Sequence, residues 1–515
     1  MCLPNLKLLF VALLTTVFSA TAAAEDRFDG ADAYVSEVIQ KWEIPGLAIA
    51  VVKDGQVVVA RGYGVCEIGM QRPVTKDTVF SIASCTKSFT SACIGMLVEE
   101  DKLNWDDPVR KHLREFELSD PYVTEHVTLR DLLCHRTGLV RGDLLFVKGD
   151  LPREEILRRV KFLGQAAPFR TKVTYNNVMY AELGEVISSK SGISWEQFVQ
   201  RRIFEPLGME SATIRRLEVP AEKLATRHRR YEGKVQPLRT PIRDELCAPA
   251  GAIHASALDM AQWLKLHLQE GEWDGRRLLK AETVREMHAM HQSIPIQARP
   301  GANVYSSKIV GTGLGWFVRD YRGRKVVAHG GGWGADMVLV PEERLGVIVL
   351  SNLDHNLVVQ MISLDMLDAF LVGPEHAWTK GEKWEHWLTI GGPDHMERAR
   401  AAQKADLEKN RRLDTRPSLP LDRYAADYES ELYGLLAVRR VGDRLHVRFG
   451  DHSAELAHWQ NDSFYAPAVV EPFLDWLVKF QVEADRSVSG LEIVHIGWKD
   501  PDERHRFKRS PRSSE

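Results

Sequence analysis

The sequence predicts a mixed α/β domain, with an antiparallel sheet flanked by helices and a helical lobe, followed by a separate all-β, barrel-like domain. Three observations predict this architecture. Two β-branched runs surround Asp54-Gly55 near the start of the chain, and the strand-like runs "RKVVAHGGG" and "ADMVLVPEERLGVIVLSN" come much later. Beyond residue 419, apolar residues recur with the period of two that is typical of half-buried strands.

The first predicted element is an amphipathic helix over residues 31–42, because Tyr34, Val38 and Trp42 recur at helical spacing. A hairpin follows it, since an Asp-Gly pair tolerates the positive φ angles of a tight turn. Strands at both ends of this region, with helices between them, predict one α/β unit that is closed by its two termini.

The middle of this domain, roughly residues 80–310, predicts a lobe of helices and loops inserted between the strands. Prolines and glycines in it are expected to mark breaks in the helices. These breaks are expected at Pro206-Leu207-Gly208, Pro249-Ala250-Gly251 and Pro300-Gly301.

The C-terminal part of the chain changes pattern twice. A charged helical linker is predicted over residues 374–418, and residues 419–508 predict a β domain of about seven short strands. Within that domain Leu445 and Val447 alternate with polar residues. The basic tail, residues 509–515, is expected to be disordered.

The charge balance argues against two classes of partner. The chain of 515 residues has 68 Lys and Arg against 71 Asp and Glu, a formal net charge of -3. This balance gives no electrostatic attraction to nucleic acid or acidic lipid. No later segment has about 18 consecutive uncharged apolar residues, so no membrane span is expected.

The N-terminus predicts export. Lys7 precedes an apolar run from Leu8 to Phe18, and Ala22-Ala23-Ala24 supplies the small-residue pattern of a cleavage site. Residues 1–24 are therefore interpreted as a signal peptide, with the mature domain covering 25–373. Cys2 lies before the apolar run and not at the cleavage site, which argues against a lipoprotein anchor.

Five cysteines remain after that cleavage, an odd number that cannot pair completely. None forms a close Cys-x-x-Cys pair or a zinc-like spacing with histidine, so we expect small buried thiols. They are Cys66, Cys85, Cys93, Cys134 and Cys247.

A candidate nucleophile occurs in "SIASCTKSFTSACIGMLVEE", residues 81–100. Ser84 precedes an apolar run of helical period, and Lys87 lies one turn further on the same face. The backbone N–H groups of a helix start favour an alkoxide or oxyanion, and a lysine surrounded by apolar residues loses its proton more easily. The alternative is an N-cap serine with a solvated lysine.

Two further motifs add polar groups that one cleft could share. Tyr175 and Asn177 lie two apart before a predicted helix; the tyrosine could relay a proton, and the amide could bind a substrate carbonyl and the lysine. His329 ends a strand and is followed by three glycines, where bare backbone lets a substrate lie against the strand edge. The alternatives are a tyrosine packed under a helix cap and a glycine turn after an edge strand.

The motifs SCTK, YNN and HGG, in this order, resemble those of the serine β-lactamase and penicillin-binding-protein superfamily, in its class C and D-aminopeptidase-like branch. The stretches "LNWDDPVRKHL", "LRDLLCHRTGL", "EPLGMESATI", "PAGAIHASALDMAQWL" and "GLGWFV" resemble the same branch, so the likeness covers about residues 29–372. The C-terminal segment resembles a lipocalin-like domain that is appended to some peptidases and esterases of the branch.

This resemblance implies a β-lactamase-like fold and a set of roles. Ser84 is the acylated nucleophile, Lys87 its activating partner and Tyr175 the proton carrier. Asn177, His329 and Gly331 bind the substrate, and the N–H groups of Ser84 and Gly332 form the oxyanion hole. It implies neither metal nor organic cofactor.

Two departures from the family pattern weaken a β-lactam assignment. His329 stands where β-lactamases usually carry lysine, so a group that titrates near neutral pH replaces a permanent charge. "PFRTKVTYNN" also lacks the expected Pro-Gly before the tyrosine. His135, in the "HRTGL" stretch, is expected to be structural.

The sequence therefore predicts an exported serine hydrolase that cleaves an amide or ester of a small substrate, first of all a short peptide, including one with D-residues. An esterase is the second alternative and a β-lactamase the third. A catalytically silent periplasmic binder of cell-wall peptides is the alternative from another class. A homo-oligomer is compatible with each of them.

Overall fold

The computed structural model describes residues 28, 30–231, 233–238, 244–296, 306–332, 334–374, 395–470, 474–496 and 505–511. Within these ranges, no helix is both long and apolar enough to cross a membrane. The predicted signal peptide, the helix break at 300–301 and linker residues 375–394 lie outside the described residues.

The strands of the N-terminal domain form one large sheet and three small pairs. They are β1 (Gly46–Lys53), β2 (Gln56–Gly64), β3 (Phe80–Ser81), β4 (His228–Tyr231), β5 (Lys234–Pro237), β6 (His254–Ala255), β7 (Glu272–Trp273), β8 (Arg276–Arg277), β9 (Gln292–Ser293), β10 (Val310–Thr312), β11 (Phe317–Tyr321), β12 (Arg324–Gly331), β13 (Ala335–Val340) and β14 (Leu345–Ser351). The large sheet has the order β2-β1-β14-β13-β12-β11-β10-β9, and all its pairings are antiparallel. The first hairpin pairs with the last strand, which confirms the predicted closure by the two termini.

Helices cover both faces of this sheet and fill the lobe between β2 and β9. They are α1 (Ala31–Lys41), α2 (Thr86–Glu99), α3 (Pro121–His126), α4 (Leu129–Leu133), α5 (Leu144–Val147), α6 (Arg153–Arg159), α7 (Val178–Ser191), α8 (Trp195–Val199), α9 (Glu205–Leu207), α10 (Ala248–Gly251), α11 (Ala257–Leu268), α12 (Ala281–Met287) and α13 (Val358–Leu371).

Strand β1 shows how the sheet is sandwiched. Ile49 and Val51 pack into a hydrophobic cluster with α1 and α13, whereas Ala48 and Ala50 belong to the larger cluster that includes α2 and α11. The strand is therefore buried on both faces. The turn at residues 54–55 has φ angles of 51° and 79°, as an Asp-Gly hairpin requires.

Two predicted helix breaks are wrong in detail. Pro206 lies near the end of a continuous helical run, in which a π-helical turn at Gln200–Phe204 joins α8 to α9. Pro249 lies in the first turn of the short helix α10, where proline is tolerated because the first N–H groups of a helix have no acceptor within the helix. Gly208, with φ of 63°, does end α9 in the left-handed conformation.

All five cysteines from Cys66 to Cys247 are buried, and no disulfide joins any of them within the described residues. This agrees with the prediction of small buried thiols.

The C-terminal domain is a closed antiparallel barrel of eight strands, one more than the roughly seven predicted. A helix, α14 (His395–Lys409), precedes it within the predicted linker. The last strand reaches Arg509, and the buried Ser510 donates its N–H to the carbonyl of Asp427 at 2.8 Å, so the first residues of the expected tail belong to the barrel. The strands are β15 (Ala426–Ser430), β16 (Gly434–Val441), β17 (Arg444–Phe449), β18 (His452–Gln460), β19 (Ser463–Val470), β20 (Leu474–Val482), β21 (Val488–Ile496) and β22 (His505–Arg509).

Candidate active site

The nucleophile candidate lies on a strained turn between a strand and a helix. Strand β3 ends at Ser81, a 3-10 turn covers Ala83–Cys85, and α2 starts at Thr86. Ala83, the residue before Ser84, has φ of 43° although it is not glycine. Backbone strain of this kind costs on the order of 1–3 kcal/mol and persists only where the surroundings impose it. The turn presents the Ser84 hydroxyl at the start of a helix.

Lys87 is the buried partner of this serine. Its side chain is fully buried, and its Nζ lies 3.2 Å from Ser84 Oγ and donates to the carbonyl of Ala250 at 2.7 Å. Burial lowers the pKa of Lys87 to about 7, because an ammonium loses hydration there. Near neutral pH a large fraction of Lys87 is therefore an uncharged amine whose lone pair can accept the serine proton.

Tyr175 stands on the other side of the same lysine. Lys87 Nζ lies 4.9 Å from the centroid of its ring, and the ring of His135 packs against it at 4.3 Å. Burial raises the pKa of Tyr175 above its ordinary value, while an interaction with the Ser84 side chain lowers it by less. Tyr175 is thus a protonated phenol at neutral pH, able to pass a proton but not to act as a phenolate base.

Asn177 hydrogen-bonds to a carboxylate and not to the lysine that it was expected to bind. Its Nδ2 donates to Asp143 Oδ1 at 3.0 Å, while Asp143 Oδ2 accepts from Arg141 Nε at 2.9 Å. Among the described residues, no hydrogen bond joins Asn177 to Lys87. A carboxylate close by attracts the amide donor more strongly than an amine that already has two partners.

His329 lies at the end of β12, close to the tyrosine, and is only 2% exposed. Its ring centroid is 6.4 Å from that of Tyr175 and 5.3 Å from that of Phe317. Burial, reinforced by the nearby Lys87, lowers the pKa of His329 to about 3. The expectation that this residue titrates near neutral pH is therefore wrong.

The tautomer of His329 follows from one contact. Its Nδ1 lies 2.8 Å from the carbonyl of Gly330, which can only accept a hydrogen bond. Nδ1 therefore carries the proton, and Nε2 keeps a lone pair. His329 is thus a neutral ring with one acceptor nitrogen near the end of β12.

The glycines after His329 let the strand end approach the nucleophile turn. A Cβ at Gly331 would lie 2.4 Å from the carbonyl of Ile82, so only glycine fits there. The space beside Gly331 is thus filled by the chain itself and not by substrate. The carbonyl of Gly332 accepts from the N–H of His355 at 2.9 Å, which fixes the turn beyond the strand.

Three groups in the site had no signal in the sequence. The backbone carbonyl of Ala250 becomes a lysine acceptor only because α10 packs against α2. Arg141 places its guanidinium 5.0 Å from the centroid of the Tyr175 ring, and Asp143 holds both Arg141 and Asn177. Arg141 and Asp143 lie in a loop without periodicity or a known motif, so only tertiary structure reveals them.

Together these features define a class of protein. A strained serine at a helix start, a buried lysine beside it and a tyrosine across from it, all near the end of β12, an inner strand of the antiparallel sheet, form the arrangement of serine hydrolases with the β-lactamase fold. The Beta-lactamase family model matches residues 31–365, and this chain belongs to that family, whose members are serine hydrolases. A second model, Domain of unknown function (DUF3471), matches residues 410–508 and covers the barrel.

Curated relatives come from fungi and bacteria. The chain is 30% identical over 347 residues to an unguisins hydrolase of Aspergillus violaceofuscus, covering 62% of this chain and 60% of that protein's length. It is 27% identical over 444 residues to an unguisins hydrolase of Aspergillus campestris, covering 80% and 79%. It is 28% identical over 324 residues to penicillin-binding protein 4 of Amycolatopsis lactamdurans, covering 60% and 81%.

Two solved structures share the fold at low sequence identity. The octameric penicillin-binding protein homologue from Pyrococcus abyssi has a TM-score of 0.53 and 22% identity, covering 92% of this chain and 98% of that one. EstCE1, described as a hydrolase with promiscuous acyltransferase activity, has a TM-score of 0.56 and 18% identity, covering 70% and 100%.

Proposed function

We propose that this protein is an exported serine hydrolase that cleaves an amide or ester bond of a small substrate through an acyl-enzyme on Ser84. The observation that carries the proposal is the pair formed by Ser84 and the fully buried Lys87, with 3.2 Å between Oγ and Nζ. A buried lysine next to one hydroxyl can act as a base, because burial disfavours its charged ammonium form.

The acylation step moves one proton and exchanges one bond. Neutral Lys87 takes the proton from Ser84 Oγ while Oγ attacks the substrate carbonyl carbon. The hydrogen bond that Nζ donates to the Ala250 carbonyl turns its lone pair toward the serine. When the tetrahedral intermediate collapses, the bond from carbon to the leaving nitrogen or oxygen breaks and an ester to Ser84 remains.

Tyr175 returns the proton to the leaving group. As a neutral phenol between Lys87 and the cleft, it accepts the proton from the lysine side and donates its own to the departing atom. The N–H groups of Ser84 and Gly332 are proposed to bind the oxyanion during this step. Water then attacks the acyl-enzyme through the same relay in reverse, which restores the free serine.

The neutral acceptor nitrogen of His329 favours one class of substrate over another. A substrate that offers an N–H or O–H group to this strand edge fits it better than one that offers a carboxylate. We therefore propose a short peptide as the substrate, including one with D-residues, in keeping with the likeness of SCTK, YNN and HGG to the D-aminopeptidase-like branch. Two of the curated relatives carry the name of hydrolases.

The test is covalent labelling followed by kinetics. A fluorophosphonate or penicillin-type probe should add its mass to the protein, and peptide mapping should place it on Ser84. A chromogenic ester should then show a burst of product release close to one equivalent of enzyme. Binding without any burst would indicate a silent binder of cell-wall peptides, and labelling at another residue would overturn the assignment.

Export and self-association are separate proposals with simple tests. Cleavage after Ala24 predicts a mature protein that starts at Glu25, which N-terminal sequencing of secreted material would show. The homologue from Pyrococcus abyssi is described as octameric, and we propose a homo-oligomer here as well; multi-angle light scattering measures it directly.

A further inference from the structure

One segment touches both the candidate active site and the barrel. We call residues 141–150 the bridging segment; it contains α5. Its first part supplies Arg141 and Asp143, which lie against Tyr175 and Asn177. Its last part, Lys148 to Asp150, lies against the turn between β17 and β18 of the barrel. The two domains are thus joined at the wall of the candidate cleft.

At the active-site end, Asp143 is the central residue. Its Oδ1 accepts from Asn177 Nδ2 at 3.0 Å, and its Oδ2 accepts from Arg141 Nε at 2.9 Å and Nη2 at 2.6 Å. The position of Asn177, immediately before α7, therefore depends on where the bridging segment places this carboxylate. A displacement of Asp143 would move the amide and the guanidinium together.

At the barrel end, one backbone N–H and one histidine side chain bind carbonyl groups of the bridging segment. The N–H of Asp451 donates to the carbonyl of Lys148 at 3.1 Å, and His452 Nε2 lies 2.9 Å from the carbonyl of Val147, to which it donates. A Cβ at Gly450 would lie 2.3 Å from the Lys148 carbonyl. The barrel turn can approach this closely only because residue 450 has no side chain.

The Lys148 side chain is enclosed by this contact. It is 2% exposed, its Nζ pairs with Asp150 at 2.9 Å, and Nζ lies 5.1 Å from the centroid of the Phe449 ring. A second tether lies nearby, because Arg159 Nη1 donates to the carbonyl of Glu431 at 3.1 Å. The barrel therefore holds the bridging segment at several atoms and not by one surface ion pair.

We propose that the barrel positions the side of the Ser84 cleft that is formed by Asn177 and Arg141. Its turn Gly450–His452 fixes the bridging segment, and Asp143 in that segment fixes the location of both side chains. This inference rests on the proposed function, since it assigns these residues to the wall of the Ser84 cleft. Gly450, His452 and Asp143 are positioning residues. Among the described residues none of them hydrogen-bonds to Ser84 or Lys87. Asp143 acts on Lys87 through space, because its carboxylate charge opposes part of the lowering of the lysine pKa. Perturbing the barrel turn should impair substrates that reach the wall more than reactions that need only the nucleophile.

Two glycines of the barrel give a matched pair of variants. Gly450 has φ of 60° and Gly442 has φ of 62°, so alanine brings similar backbone strain at either position. A Cβ at Gly442 meets nothing within 4 Å, whereas a Cβ at Gly450 meets the bridging segment. The difference in activity between Gly450→Ala and Gly442→Ala therefore measures the effect of the contact between the two domains.

The experiment compares the full-length protein and both variants with two 4-nitrophenyl esters, the acetate and the ester of acetyl-D-alanine. Gly450→Ala should lower kcat/KM for the longer ester by about tenfold, with the acetate and the fluorophosphonate labelling rate changed by less than about twofold. Gly442→Ala should match the wild type. His452→Ala should have the same effect as Gly450→Ala in a weaker form. Its control is His458→Ala, because His458 Nε2 lies 2.9 Å from the carbonyl of Asn461 within the barrel.

Hydrogen exchange keeps the inference testable whatever the substrate. Gly450→Ala should speed amide exchange in peptides covering 141–150 and 175–180 but not in α2, whereas Gly442→Ala should change neither. Equal behaviour of the two alanine variants in exchange overturns the positioning role. A wild type that neither reacts with the probe nor hydrolyses either ester overturns the proposed function instead, and exchange then still decides the domain contact.

Discussion

The interior of the α/β domain and that of the barrel both bury titratable groups, but only one of them has the geometry of a reaction site. Lys87 is fully buried with Ser84 and the Ala250 carbonyl as partners. In the barrel, His495 and His505 are buried with ring centroids 4.3 Å apart, yet both ring nitrogens of His495 and Nδ1 of His505 have no hydrogen-bond partner within the part of the chain that the structure describes. Burial and a shifted pKa alone therefore do not define a site; a nucleophile within reach of the shifted group does.

The strongest test of this contrast is Ser84→Ala. It removes the only atom that the proposed reaction acylates, so turnover of a chromogenic ester should fall by about 10⁴-fold or more. The matched control is Ser91→Ala, because Ser91 lies on α2, the helix that follows Ser84, is fully buried, and has a hydroxyl with no partner among the described residues. Wild-type activity in Ser84→Ala, or an equal loss in both variants, would contradict the role of Ser84.

The next largest effect concerns the proton relay. Lys87→Ala and Tyr175→Phe should each lower kcat by about 10²- to 10⁴-fold, the range expected for lost proton transfer. In the wild type, kcat/KM should rise with pH through a midpoint near 7, because Lys87, with its pKa lowered to about 7, acts as a base only when it is deprotonated. Circular dichroism should show an intact fold, and full activity in either variant would exclude that residue from the relay.

Most of the domain architecture could be predicted from the sequence, because it depends on local signals. The Asp-Gly hairpin, the apolar strands and the helix after Ser84 each carry their own periodicity or turn residues. The separation of Ser84 and Lys87 by three residues fixes their distance once the helix exists, so this pair was predictable as well.

The parts that the sequence could not reveal depend on contacts between distant segments. Asn177 donates its hydrogen bond to Asp143, and no sequence pattern near either residue indicates this pair. The prediction that His329 titrates near neutral pH was wrong, because its burial between Tyr175 and Phe317 follows only from tertiary packing. The contact of Gly450 with the bridging segment likewise joins parts of the chain that are remote in sequence.

The buried histidines of the barrel are expected to make the stability of the protein sensitive to acid, without a role in catalysis. Burial lowers the pKa of His505 to about 3, so its stabilising contribution is fully present above about pH 6.5 and is lost as the pH falls toward about 3. His505→Phe removes this titration together with an unpaired buried nitrogen, so the fall in Tm between about pH 7 and about pH 5 should shrink by about 3 °C. Ester turnover at neutral pH should stay at the wild-type level.

Thermal unfolding at the two pH values, followed by circular dichroism, measures this effect. The control is His446→Phe, since His446 lies on β17 of the same barrel and is only half-buried. If His505→Phe loses as much Tm on acidification as the wild type does, the buried histidine does not contribute to the acid response.

The smallest expected effect is an unchanged midpoint of the pH profile of kcat/KM when His329 is replaced by a neutral residue. This result distinguishes Lys87 from His329 as the titrating group. Because burial and Lys87 lower the pKa of His329 to about 3, the residue is neutral throughout the range in which activity rises. His329→Gln keeps a neutral side chain and should leave the midpoint of the kcat/KM profile near 7, even if the rate itself falls. His329→Lys is the informative counterpart, because a second ammonium near Lys87 disfavours the charged form of Lys87 and should move the midpoint to lower pH. Both variants are measured by kcat/KM for a neutral ester as a function of pH across the neutral range. If the midpoint in His329→Gln moves by about one pH unit or more, the ionisation belongs to His329, and Lys87 is not the titrating base.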